Sequence, residues 1–340
     1  MSSTTGQPTL GGTPSPLPDI PAAATLLALF GIAGLTHLTI FLRNRHHPNR
    51  TRRFIFSFLL FVFSCTRIAA LSLRIAWARA PHDAKIAVAA TVVTSAGVLI
   101  LMIVNLVLAR RVVRGLHPAV GWQRDVKWVF LGVLGSVIGV LVMVVASLVV
   151  SVTNGDAVAR GRARDVLLFA GVYITVLAVL PALVVLVARA VPNRGERWPA
   201  EGFGKGSMGG KMALLVGASL LLTAGAGFRA GVNFAAAPGG LPQWYHSKAA
   251  FYCFNFGIEL AVVWAYAVFR FDRRFYVPEG SSAPGHYSGN GQGAAQGVDA
   301  VGGQEEEGIE LGVRAATSGE SGITGDSRYK DPVRGERSAV

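Results

Sequence analysis

The chain has 340 residues, 51% of them apolar and 15% charged, with a net charge of +13 and a mean hydropathy of +0.46. A soluble domain of this length buries a core but does not gather its apolar residues into uninterrupted runs, and the basic excess sits mainly in short connectors between those runs. That placement points to the anionic face of a bilayer rather than to nucleic acid, and two cysteines, both inside apolar runs, support no disulfide framework and read as buried, inert thiols.

The first 20 residues are rich in Ser, Thr, Pro and Gly, with Asp19 as their only charged side chain. They lack the basic start and cleavage signal of a secretory peptide, so they read as a disordered extracellular tail before a retained signal anchor. Seven apolar runs follow: Pro21–Leu42, Phe54–Trp77, Lys85–Leu108, Trp128–Val152, Asp165–Ala188, Met212–Phe234 and Ala249–Phe271. About 20 residues of helix cross the hydrocarbon, and each run reaches that length. The predicted fold is therefore all-α, a seven-helix transmembrane bundle over residues 21–276. From Val277 to Val340, Gly, Ser, Ala and Gln dominate around an acidic run at Glu305, Glu306 and Glu307. This composition predicts a disordered tail, suited to modification or to an adaptor.

The connectors alternate in charge. Arg43, Arg45, Arg50, Arg52, Arg53, Arg110, Arg111, Arg114, Arg124, Lys127, Arg189, Arg194, Arg197, Lys205, Lys211, Arg270, Arg273 and Arg274 fall on one side. Arg79, Lys85, Arg160, Arg162, Arg164 and Lys248 fall on the other, a count of 18 against six. The positive-inside rule then puts the N-terminus outside and the C-terminus in the cytosol. It also places the only glycosylation sequon, Asn49-Arg-Thr51, in the cytosol, where it should stay unmodified. Trp77, Trp122, Trp128, Trp198 and Trp244 lie near span ends, as interface anchors do. Gly135 with Gly139, and Gly227 with Gly231, have the four-residue spacing that lets helices approach closely within one chain or, as a second reading, between two copies. Pro181 is expected to kink the fifth span.

Charged groups inside a bilayer cost about 2.5–3.5 kcal/mol each at a helix centre, so those present carry information. Arg67 and Arg74 share a face of the second span, Arg229 shares one with Asn233 in the sixth, and Glu259 shares one with Asn255 in the seventh. At about 1.5 Å per residue, Arg67 and Glu259 lie at nearly the same depth, just outside the midplane. The six are expected either to line one polar cavity opening outward or to staple helices together. Three arginines facing one glutamate leave positive charge, which favours an anionic partner such as a lipid headgroup or an organic acid.

Several chemistries lack their residues. His37 is the only histidine inside a span, too few for haem or for a metal centre. The last span holds no lysine for a retinal Schiff base, and no phosphate-cradling loop is present. No catalytic residue, metal site or cofactor is called for, and an enzyme is the least favoured class.

Three segments carry a resemblance: Gly115-Leu-His-Pro-Ala-Val-Gly-Trp122, Phe203-Gly-Lys-Gly206, and Lys248-Ala-Ala-Phe-Tyr-Cys-Phe-Asn-Phe-Gly-Ile-Glu259 with its continuation Arg270-Phe-Asp-Arg-Arg-Phe-Tyr-Val-Pro278. Over Pro21 to Pro278 the chain resembles a family of filamentous-fungal multi-pass membrane proteins of unknown function, which implies a fungal source and seven spans. A looser likeness links it to fungal lipid-translocating, drug-resistance-type seven-span proteins, which also place an arginine in the sixth span and a glutamate in the seventh. A likeness to fungal receptor-type proteins rests on topology alone.

A receptor-like sensor, with a small or anionic ligand in the outer cavity and a cytosolic adaptor on the tail, is the expected function. A lipid or small-molecule translocator and a structural scaffold are the alternatives. The plasma membrane is the expected location, ahead of an internal membrane.

Overall fold

The computed structural model describes residues 10–45, 54–193, 198–235, 241, 243–278 and 280–288. Among them, seven helices are long and apolar enough to cross a membrane: α1 (Pro16–Arg45), α2 (Ile55–Arg79), α3 (Ala84–Leu116), α4 (Arg124–Thr153), α5 (Ala157–Ala190), α6 (Met208–Phe234) and α7 (Lys248–Val268). Five contain their expected run and extend past it, because hydropathy marks only the hydrocarbon-facing part of a helix; α2 begins one residue after Phe54, and α7 stops at Val268, short of Phe271. The ends are set by polar caps. Asp83 accepts from Lys85 N and Ile86 N, Asp156 from Val158 N, Ser207 from Gly210 N and Ser247 from Ala250 N, each satisfying donors that the first turn leaves free. α5 remains helical through the buried Pro181.

Packing follows chain order at first: α1 lies along α2, and α2 against α3. α3 also meets α4, α5 and α6, and 56% of its most apolar stretch is buried, against 22% for α4. α3 is thus the central helix and α4 a peripheral one. The surface confirms the solvent. Leu35 on α1, Val129, Ile138 and Val142 on α4 and Val187 on α5 are all at least 60% exposed, a coat that a water-soluble monomer does not carry. The protein is an integral multi-pass membrane protein.

The small residues at close contacts are not the ones their spacing suggested. A Cβ on Gly135, Gly139 or Gly231 would meet nothing, and one on Gly227 only the Thr175 methyl at 3.6 Å. Within the spans the close approaches include Gly34, against Ser64; Gly97, against the Arg67 guanidinium; and Gly225, where an added Cβ would come within 2.9 Å of the Phe254 carbonyl. Cys65 and Cys253 lie on the exposed surface rather than in the core.

Both flanking segments pack further than composition predicts. Leu10–Ile20 is folded onto the bundle: Gly11 N donates to His246 O at 3.0 Å, α1 already begins at Pro16, and Asp19 is fully buried. Past the seventh span, Val277 and a buried Tyr287 rest on the core. From residue 289 the expected disordered tail lies outside the described residues, as does the Asn49 sequon.

Candidate functional site

Two carboxylates organise the charges inside the bundle, each with two cations. Arg67 meets Glu259 side-on, with Nε 2.6 Å from Oε2 and Nη2 donating to Oε1 at 2.7 Å. Its Nη1 donates to the Thr94 carbonyl at 2.6 Å, and the guanidinium lies against the Phe63 and Phe256 rings. Gly97 leaves the space that the guanidinium fills. Arg229 approaches the same carboxylate less closely, with Nη1 3.9 Å from Oε1. The side chains of Arg67 and Glu259 are 1% and 2% exposed, whereas that of Arg229 is 23% exposed.

Arg229 has a second task, set by the backbone of α7. Cys253–Gly257 forms a single π-turn, which loosens the regular carbonyl ladder, and such turns often mark functional positions. Arg229 Nη1 donates to the Phe254 carbonyl at 3.3 Å and to Asn255 Oδ1 at 3.4 Å, while Asn255 Nδ2 donates to Phe251 O at 3.0 Å. In hydrocarbon a displaced carbonyl needs such a partner, because no water is available.

The second carboxylate is Asp19, which by composition belongs to the disordered tail expected over residues 1–20. Its Oδ1 accepts from Tyr252 OH at 2.8 Å and lies 3.3 Å from Arg74 Nη2; its Oδ2 pairs with Lys248 and accepts from Ser15 N at 2.9 Å. Arg74 also donates to Gly11 O and Gly12 O, and its guanidinium stacks 4.4 Å over Phe251. Only contact between the two ends of the bundle-forming chain could reveal this cluster. A weak local signal exists: a lone aspartate two residues before the first apolar run.

The six residues expected to share one cavity therefore divide. Arg67, Arg229, Asn255 and Glu259 form one network, Arg74 joins the other, and Asn233 is exposed in the last turn of α6 and joins neither. Arg74 is neutralised by a carboxylate the sequence reading did not count, so the uncompensated charge around Glu259 is one, not two.

The half of the bundle nearer the basic connectors is polar but closed. Tyr266 donates to Asn105 Oδ1 at 2.5 Å, Asn105 donates to Ser219 Oγ at 3.2 Å, and His37 Nε2 lies 3.1 Å from Val263 O. At the basic end itself, Asp272 accepts from Arg270 and from Asn44 at 3.1 Å. Two cavities, of about 480 and 310 Å³, open at this end.

A family model described as a protein of unknown function (DUF3112) matches residues 207–276. That stretch spans α6 and α7. It includes Arg229, Lys248, Asn255 and Glu259, and it leaves out Asp19, Arg67 and Arg74. No curated protein and no solved structure matches the chain.

Proposed function

We propose that this protein is a receptor-like membrane sensor whose anionic ligand engages Arg229. The observation that carries the reading is the unequal sharing of Glu259. Arg67 takes both oxygens at contact distance, while Arg229 stands 3.9 Å away and is 23% exposed. A buried carboxylate fully used by one arginine leaves the second short of counter-charge in a medium where that is costly. An organic acid or a lipid headgroup reaching Arg229 supplies it.

The basic connectors orient the molecule with its N-terminus outside and its C-terminus in the cytosol. Arg229 then lies in the outer half and the tail is available to a cytosolic adaptor, most simply at the plasma membrane. Such a sensor needs no catalytic residue. A translocator needs a polar path through the other half of the bundle, and there the polar groups of Asn105, Tyr266, Ser219 and His37 are buried and bonded to one another or to backbone. That favours sensing over transport.

The test uses purified protein in nanodiscs, with hydrogen exchange measured in phosphatidylcholine and after adding phosphatidylserine or an amphipathic carboxylate. A sensor shows protection around α6 and α7 that propagates to the basic end and is lost in Arg229→Gln. Movement of labelled lipid across proteoliposomes assigns the protein to the translocators. Absence of both effects leaves the charges as helix staples and the protein as a scaffold.

A further inference from the structure

The smaller cavity at the basic end has a chemistry of its own. α3 ends in Arg110, Arg111 and Arg114, and all three line the 310 Å³ cavity. Positive residues in the last turn of a helix suit its dipole, and basic residues suit that side of a membrane. Neither effect explains why three side chains converge on one space, since like charges one turn apart repel.

Each guanidinium lies over an aromatic ring. Arg110 lies 4.6 Å over Phe130, Arg111 4.7 Å over Phe56, and Arg114 3.8 Å over Trp122. A stacked guanidinium keeps its edge, with its five N–H donors, free for an anion. Among the described residues few of those donors are used, the Tyr287 phenol beside Arg114 being one acceptor. Arg111 Nη1 donates to Phe275 O at 2.6 Å and Arg114 Nε to Gly121 O at 3.2 Å, while Arg110 Nε is buried without a partner among the described residues. Among the described residues, no carboxylate lies within ion-pair distance of any of the three.

The rest of the wall is built by a strap. Glu201 accepts from Gly285 N at 2.6 Å and Tyr287 N at 2.9 Å, pinning residues 280–288 across the end of the bundle. Tyr287 packs edge-on against Trp122 and Phe203, and Ser281 ties the strap to Pro278 by donating to its carbonyl at 2.6 Å. Burial pushes the Tyr287 phenol up from its ordinary value, against the pull of Arg114, Arg111 and Arg110 beside it, so it stays a neutral donor. At the rim, Ile55 is 56% exposed at the start of α2, giving an apolar threshold beside the cavity.

We propose that Arg110, Arg111 and Arg114 form a binding site for a phosphomonoester, presented by the headgroup of a phosphorylated lipid in the adjoining leaflet. A phosphomonoester brings close to two negative charges and three acceptor oxygens, which matches three guanidiniums with the Tyr287 phenol beside them. The apolar threshold at Ile55 suits a ligand with acyl chains. The site is independent of Arg229 and of the proposed sensing there.

The experiment measures thermal shifts of the full chain in nanodiscs of phosphatidylcholine alone, or with phosphatidic acid or phosphatidylserine, with inorganic phosphate as a separate arm. Phosphatidic acid should stabilise the protein more than phosphatidylserine, whose phosphate is a diester. Arg110→Gln with Arg114→Gln should weaken the effect by about fivefold per arginine removed. Lys205→Gln, an exposed charge at the same end but outside this cavity, should leave it unchanged. An equal shift with inorganic phosphate keeps the site and makes its ligand soluble. Equal response to both lipids, an equal loss in Lys205→Gln, or no response overturns the proposal. Should the double variant fail to fold, native mass spectrometry of the unaltered protein decides: failure to retain a phosphorylated lipid overturns it.

Discussion

Glu259 is buried between two arginines, and its removal should not be forgiven. Glu259→Gln leaves the buried Arg67 guanidinium without a counter-charge, a loss of about 3 kcal/mol or more. Arg67→Gln added to it should recover part of that loss, and this non-additivity in thermal denaturation of the solubilised protein identifies the contact. Arg229→Gln should cost less, because its pairing is longer and partly exposed; equal costs would contradict the unequal sharing seen here. Asp272 behaves differently because it sits outside the spans. Burial raises its carboxyl, but hydrogen bonds from Arg270 and Asn44 outweigh that and hold it below its ordinary 3.8. A depressed carboxyl contributes stability above its unfolded value and loses it as pH falls through the folded one. The stability gap between the native protein and Asp272→Asn should therefore be full at neutral pH and close below about 3.8. A gap that persisted in acid would mean packing, not charge, holds this end.

At the scale of elements, α7 is the helix whose regularity matters most. Its π-turn displaces the Phe254 carbonyl toward α6, where Gly225 offers no side chain and Arg229 offers a donor. Gly225→Val should collide with that carbonyl and cost about 1–3 kcal/mol. Gly135→Ala and Gly139→Ala meet no atom in this chain, so each should gain up to about 1 kcal/mol of helix propensity. Parallel melting curves of the three variants check this. A loss at Gly135 or Gly139, with a change in oligomeric state, would instead place a second copy against α4. The spacing of small residues was a poor guide because it records which helix faces are smooth, not which face meets a neighbour.

For the whole molecule, orientation is the property on which the functional reading stands. Asn49 should carry no glycan: glycosidase treatment should leave the mass of the expressed protein unchanged, as in Asn49→Gln. A shift abolished by Asn49→Gln would invert the bundle and put the arginine cavity outside. That cavity also gathers the segments singled out in the sequence. Gly115–Trp122 supplies the Trp122 platform, Phe203–Gly206 backs Tyr287 and lies against the Arg273 and Arg274 carbonyls, and the end of Arg270–Pro278 lines the wall.

The seven spans were readable from the chain alone, because a bilayer imposes a one-dimensional requirement: enough consecutive apolar residues. The level of Arg67 and Glu259 was readable for the same reason, since depth follows from counting residues along helices that all cross the same slab. Rotation about each helix axis and partnership between helices are set by packing and leave no such linear record. Asp19 was assigned to a tail because nothing local shows that Lys248, Arg74 and Tyr252 surround it. Asn233 was assigned to the cluster by a shared helix face that the bundle turns outward. The arginines at the end of α3 were counted as topology signals. Only the fold, by laying the strap at 280–288 over them and an aromatic ring beneath each, made them a site.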